Sequence, residues 1–305
     1  MSKCMQVKPF LKWVGGKTKL LSEIEKSLPK NLIKKSFNYV EPFLGGGAVF
    51  FHLIQKFDIE KAYLNDLNNK LIDVYKDVRD KNTELIQKLK KLELDYYGSS
   101  DKKTFFLDKR NEFNTIKKST EKSALFVFLN KTGFNGMYRE NSKGEFNIPF
   151  GKMKAPMICN KKLLTQINKI LNDNEIVFSS KSFEKVIVDE ANTFYYLDPP
   201  YRPVSKTSSF TNYTRRSFSE KTQQLLKEYC DTINSKEAFF MQSNSYSNDG
   251  FFQKLYKDRK INNLNVTRTI SADGSKRNKV KEIISFIYLI HSVDSIRVLN
   301  KINDE

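Results

Sequence analysis

"FNYVEPFLGGGAVFFHLIQKFDIEKAYLND", residues 37–66, carries the reading of the fold. Residues 37–43 and 61–66 are short apolar and aromatic runs of the kind that form buried strands. Between them, "GGAVFFHLIQKF" has helical character after its glycines. The stretch is therefore a strand–helix–strand unit.

The alternation resumes after about residue 174. "EIVFSS", "TFYYLDPPY", "EAFFMQSN", "NVTRTIS" and "EIISFIYLI" are strand candidates, with helical "SEKTQQLLKEYCDTIN" and "GFFQKLYKD" among them. Strands alternating with helices imply a mostly parallel sheet covered on both faces. The intervening residues 68–132 read as several helices, including "KLIDVYKDVRD" and "TELIQKLKKLEL". A turn-rich basic section follows, "NKTGFNGMYRENSKGEFNIPFGKMKAP". The expected fold class is α/β, a Rossmann-like sheet with an inserted, mainly helical domain. Residues 1–67 and 174–305 would build the sheet domain and 68–173 the insertion.

The chain of 305 residues has 53 basic and 35 acidic side chains, a net charge of +18. Such an excess favours a polyanionic partner, because bound Lys and Arg release condensed counterions; a lysine- and asparagine-rich proteome would raise the charge too. Cys4, Cys159 and Cys230 are far apart and form no CxxC pair, and His52 and His291 sit in or beside apolar runs. Neither a zinc site nor histidine-based acid–base catalysis is expected, and no metal is assigned. The amino-terminal residues lack a signal-peptide pattern, and "IISFIYLI" is too short to span a bilayer. The expectation is a soluble, cytoplasmic protein without a membrane partner.

In "VEPFLGGGAVFF", Gly45, Gly46 and Gly47 follow a strand and open a helix, so backbone can approach a ligand at the sheet's carboxyl edge. The GxGxxG spacing fails, because position 50 is Phe, which disfavours a pyrophosphate. Asp66 ends the next strand, at the distance where an acid accepts from ribose hydroxyls. Together they suggest an adenosine-like cofactor; a plain tight turn is the alternative.

"FYYLDPPYRP" (194–203) ends an aromatic strand in Asp198, Pro199, Pro200 and Tyr201. Two prolines cannot continue a central strand, so the chain leaves the sheet there. A planar aminated ring could stack on Tyr201 while Asp198 and the Pro199 carbonyl accept from its NH2 group. Two acceptors would favour a pyramidal nitrogen and stabilise its developing positive charge, which suffices if the electrophile is already activated. The alternative is a purely structural strand exit.

"FLKWVGGKTKLL" (10–21) contains Gly-Gly-Lys-Thr, the tail of a phosphate-binding loop. That motif needs a glycine five residues before its last one, where this chain has Leu11, so nucleotide hydrolysis is not expected.

Five stretches, "FLKWVGGK", "VEPFLGGGAVFF", "NGMYRENSKGEFNIPFG", "DPPY" and "RTISADGSKRNKVKE", give the chain a resemblance to Dam-type DNA adenine N6-methyltransferases with the motif order cofactor, target recognition, catalysis. The resemblance spans nearly the whole chain. It implies S-adenosylmethionine as cofactor, contacted by Trp13, Lys17, Phe43, Gly45, Asp66 and Asp198. It implies double-stranded DNA as partner, GATC as target, and an adenine flipped into a catalytic pocket of Asp198, Pro199, Pro200 and Tyr201. Phe134 matches a position whose ring inserts into the base stack, with Asn135 and Met137 beside it. Arg139 matches a residue that reads a guanine, Lys12 a lysine that reaches the first guanine, and Pro149 another base contact. Met137 and Phe134 replace the leucine and tyrosine of some relatives while keeping apolar shape. A DNA substrate would place the protein at the nucleoid. An RNA adenine methyltransferase and a catalytically silent DNA binder are the competing readings. Whether a cognate restriction endonuclease accompanies the protein is left open by the sequence.

Overall fold

A computed structural model of the protein describes residues 6–201, 218–245, 249–270 and 278–288. In chain order they form α1 (Leu21–Lys26), β1 (Phe37–Glu41), α2 (Ala48–Leu53), β2 (Ile59–Asn65), α3 (Asn69–Asp80), α4 (Asn82–Gly98), α5 (Lys102–Thr115) and α6 (Thr120–Thr132). Then follow α7 (Lys161–Asp173), β3 (Glu175–Ser179), β4 (Thr193–Leu197), α8 (Glu220–Ser235), β5 (Phe239–Ser245), α9 (Phe251–Leu255), β6 (Lys260–Ile270) and β7 (Asn278–Tyr288).

The strands pair in the order β3-β2-β1-β4-β5-β7-β6. The first five are parallel, whereas β7 runs antiparallel to both β5 and β6. The expected parallel direction thus holds up to β5, although β3 and β4 follow each other with no α-helix between them. The link between β6 and β7, residues 271–277, is too short for a crossover helix, so those two strands pair as neighbours. Every residue of β1 and β4 is buried, as central parallel strands covered on both faces require.

Alternate residues of these strands feed two cores. Phe37, Tyr39, Phe194 and Tyr196 pack with α1 to α7, and Val40, Tyr195 and Leu197 pack with α8 and α9. Each fully buried apolar side chain contributes about 2 kcal/mol, so the strands are held by their rings as much as by their ladders. Helix α2 is shorter than its apolar run suggests, ending at Leu53.

The helices α3 to α7 leave the sheet after β2 and return to it at β3. Asn68 starts α3 by accepting the N–H groups of Lys70 and Leu71. Helix α6 packs against α3, α4 and α5 and is buried almost throughout, so it has apolar residues all round. The core of this insertion is continuous with one face of the sheet.

Candidate active site

The parallel register brings three strand exits to one edge. Glu41 of β1 lies level with Leu64 of β2, and Val40 lies level with Tyr195 of β4. Beyond them come the turn 42–47, Asp66, and Asp198 to Tyr201. Strand order reverses between β1 and β4, and ligands of open parallel sheets bind at such a reversal. Buried Asn65 ties the exits together. Its Nδ2 donates to the Pro42 and Lys181 carbonyls, both at 3.0 Å, and its Oδ1 accepts from Ser179 Oγ and the Lys181 N–H. Sequence reasoning passed over Asn65, although a polar residue ending an apolar strand was the available signal.

Asp66 sits at the head of the glycine turn. Its Oδ2 accepts the Gly45 N–H and its Oδ1 the Asn68 N–H, each at 2.9 Å. Burial pushes the carboxyl up to about 6, against these two donors, which favour the charged form. Gly45 has φ +49°, and a Cβ there would lie 2.6 Å from Trp13 Nε1. The indole therefore rests directly on the turn, and no larger residue fits beneath it. Phe43 lies on the opposite face, its ring 5.4 Å from Phe183 and 6.2 Å from Phe218.

Residues 12–17 form a strap that meets the glycine turn through Trp13 and the β4 exit through Lys17. Beyond Trp13, the buried Lys17 donates to the Gly15 carbonyl at 2.7 Å and to Asp198 Oδ2 at 2.5 Å, and lies 5.1 Å from the Tyr201 ring centre. Burial alone would lower the pKa of this ammonium, but Asp198 and Tyr201 outweigh it and raise it. Beneath the site, Glu41 is buried and accepts the Tyr39 hydroxyl at 2.8 Å. Burial, opposed by that hydrogen bond and reinforced by Asp198, holds its carboxyl well above the usual range. Nothing in the local sequence sets Glu41 apart from other strand residues.

The other end of the strap meets the turn-rich loop after α6. Gly133 pairs with Phe150 and Glu140 with Phe146, closing a hairpin-like excursion whose base is tied by the Phe134 N–H to the Pro149 carbonyl at 2.9 Å. Tyr138, Phe146 and Ile148 point into the core, whereas Asn135 and Pro149 are exposed and Phe134, Met137 and Arg139 half-buried. Asn135 adopts φ +53°, which asparagine tolerates better than most residues. Asn147 Oδ1 accepts from Arg139 Nε at 2.8 Å and holds the guanidinium by that edge. Tyr138 stacks against Trp13, with ring centres 6.2 Å apart and planes inclined by 18°. Its hydroxyl donates to Glu140, which also pairs with Lys70 at 2.5 Å.

Lys12 is exposed where the strap crosses this loop. Near it, Lys131 has its pKa lowered to about 8 by burial and by the Lys12 charge, a locally basic surface that the sequence reading did not resolve. The structure thus gathers Trp13, Lys17, Gly45, Asp66, Asp198 and Tyr201 at the sheet edge. It sets Lys12 of the strap beside the adjoining loop, which carries Phe134, Asn135, Met137, Arg139 and Pro149. Of "RTISADGSKRNKVKE", residues 271–277 lie outside the described residues, as do Arg202 and Pro203 after the Asp198–Tyr201 turn. Among the described residues, no group of His, Cys, Asp or Glu could hold a metal ion, and no helix is long and apolar enough to cross a membrane.

A parallel sheet with a glycine turn and an Asp-Pro-Pro-Tyr exit on either side of its reversal point has the makings of a methyltransferase acting on a ring amine. The chain belongs to the D12 class of N6 adenine-specific DNA methyltransferases, whose family profile matches residues 13–270. It is similar to the type II methyltransferase M.MjaIII of Methanocaldococcus jannaschii, 43% identical over 285 residues that cover 90% of this chain and 96% of that protein. It is 38% identical to a type II methyltransferase of Lactococcus lactis subsp. cremoris, over 92% of this chain and 95% of the relative. The DNA adenine methylase of Haemophilus influenzae is 32% identical over 91% of this chain and 93% of its own length. The protein is an adenine-specific DNA methyltransferase, and DNA is its substrate.

Proposed function

We propose that the protein transfers a methyl group from S-adenosylmethionine to the N6 amine of adenine within GATC in duplex DNA, after flipping that base out of the helix. The carrying observation is the Asp198–Tyr201 turn at the end of β4, set beside the Gly45 turn of β1 and bridged to it by the strap of Trp13 and Lys17.

The residues present fit the cofactor. Trp13 lies on a turn with no room for a Cβ at Gly45, and each Asp66 oxygen, already accepting one backbone N–H, keeps acceptor capacity for ribose hydroxyls. Trp13, Lys17, Phe43, Gly45, Asp66 and Asp198 are the proposed cofactor residues. When bound, S-adenosylmethionine supplies a methyl group already activated on a sulfonium. The protein's own task is orientation. Tyr201 stacks on the base, while Asp198 and the Pro199 carbonyl accept from the amine and stabilise the positive charge growing on nitrogen. Pro199 and Pro200 stiffen the turn that presents these acceptors.

Residues 1–67 and 174–305 act in this reading as the catalytic unit and 68–173 as the target-recognition unit. Lys12 and Arg139 read guanines, Phe134 enters the base stack, and Asn135, Met137 and Pro149 complete the contact surface. A base within a duplex cannot reach a pocket at a sheet edge, which is why flipping belongs to the proposal. The type II designation is that of two relatives; the same chemistry serves with or without a cognate endonuclease.

The test is transfer from labelled S-adenosylmethionine to two duplexes differing only in GATC against a scrambled site, with structured RNA beside them. Label on adenine of the GATC duplex alone is expected. Label on both duplexes would remove the GATC reading, and label on RNA alone would remove duplex DNA as the target.

A further inference from the structure

The proposed base-reading side chains come from two separate pieces of chain, the strap that carries Lys12 and the loop after α6 that carries Phe134 to Arg139. Something must set the distance between them, since a flexible lysine can read a base selectively only if its backbone is held in place. The strap has no strand partner at Lys12, so its N–H and carbonyl need other partners.

Asn130, in the last turn of α6, provides both. Its Oδ1 accepts the Lys12 N–H at 2.9 Å, and its Nδ2 donates to the Lys12 carbonyl at 2.8 Å and to the Gly136 carbonyl at 3.0 Å. One side-chain amide thus does for Lys12 what a neighbouring strand would do, and ties the same point to the middle of the turn. Asn130 is only 3% exposed, and its neighbours in α6 are Phe126, Val127 and Leu129. An apolar residue there would take this partner from the Lys12 N–H and from the Lys12 and Gly136 carbonyls; the amide satisfies all three and so supplies register. The fit is close from the other side as well. Gly136 has φ +64°, and a Cβ there would stand 2.5 Å from Lys12 Cβ and 2.8 Å from its Cδ, so the lysine stem lies across the glycine.

We infer that Asn130 is a positioning residue that fixes Lys12 relative to the turn 134–139, and thereby sets how strictly the guanine assigned to Lys12 is read. This rests on the proposed function. The loop follows directly from α6, so duplex docked on Arg139 keeps its place when Asn130 is changed, while the strap shifts. Loss of the amide therefore relaxes reading by Lys12 selectively. A residue with only a structural role would weaken all substrates alike.

The experiment compares wild type with Asn130→Asp, Asn130→Ala and Gly136→Ala. The aspartate replaces two donors by an acceptor facing two carbonyls, and the alanine at 136 pushes the lysine stem from the opposite side. kcat/KM is measured on GATC duplex and on duplexes altered singly at the first or at the last base pair, with hydrogen exchange of residues 10–17 followed in parallel. Expected are at least a tenfold loss of discrimination at the first pair, less than a threefold change at the last, and faster exchange of the strap. Unchanged discrimination at the first pair, or an equal loss at both, overturns the inference while the GATC reading stands. A wild-type enzyme indifferent to the first pair overturns the GATC reading, and the inference falls with it. Should the Asn130 variants fail to fold, Gly136→Ala decides by the same criteria.

Discussion

Lys17 Nζ and Asp198 Oδ2 stand 2.5 Å apart although 181 residues separate them in the chain. The pair joins the strap to the exit of β4, and with Asp198 only 22% exposed it is poorly screened. Breaking such a pair from one side leaves a charge without its partner. Lys17→Met is expected to lower stability by about 3 kcal/mol in urea unfolding, and Lys17→Met with Asp198→Asn to recover part of that loss. A double-variant loss equal to the sum of the Lys17→Met and Asp198→Asn losses would show that the charges are not coupled.

The chemistry assigned to Asp198 makes a separate demand. Asp198→Asn keeps the shape of the side chain but turns part of an acceptor into a donor facing the target amine. Turnover is expected to fall by a factor of at least about 100, with duplex affinity kept within about threefold. Full turnover in single-turnover assays would remove Asp198 from the reaction.

Trp13 is the sole tryptophan in the chain and it lies on the glycine turn, so its emission reports on the cofactor site without a label. Titration with S-adenosylmethionine is expected to change that emission in the wild type. In Gly45→Ala the new Cβ meets the indole nitrogen at 2.6 Å at a backbone with φ +49°, and affinity should drop about tenfold. An unchanged emission in the wild type would take Trp13 out of the cofactor site.

These residues differ in how readable they were. The sheet followed from apolar runs such as 37–43 and from glycine and proline at their ends, because buried strands and forced exits leave local marks. Gly45, Asp66 and Asp198 were visible for the same reason. The antiparallel direction of β7 was less so, since a strand's direction depends on its connection and not on its own residues. Asn65, Asn130 and Glu41 were missed, as most of their hydrogen bonds reach partners 23 to 118 residues away or lie within a buried strand. No local pattern distinguishes such a residue from any other polar side chain.

Arg139 is held through Nε by Asn147, and a bidentate contact with guanine O6 and N7 would use its two terminal nitrogens. Arg139→Ala should therefore cost about 1–3 kcal/mol of discrimination at one base pair, roughly 5- to 150-fold in relative kcat/KM. Cofactor affinity, read from Trp13, should hardly move. A larger effect on the cofactor than on site preference would contradict the assignment.

Asp66 gives the site a pH dependence whose sign can be stated. Its carboxyl titrates at about 6, raised by burial. Ribose hydroxyls donate hydrogen bonds, so they bind the carboxylate better than the acid, and cofactor binding is linked to loss of that proton. Affinity for S-adenosylmethionine should rise with pH through about 6 and level off above it. Below that point the dissociation constant should grow by up to tenfold per pH unit. Asp66→Asn cannot titrate, and is expected to bind more weakly at neutral pH with a flat profile between pH 5 and 8, as Trp13 emission would show. A variant that kept the wild-type slope would place the titrating group elsewhere and leave Asp66 as a brace for the Gly45 and Asn68 amides alone.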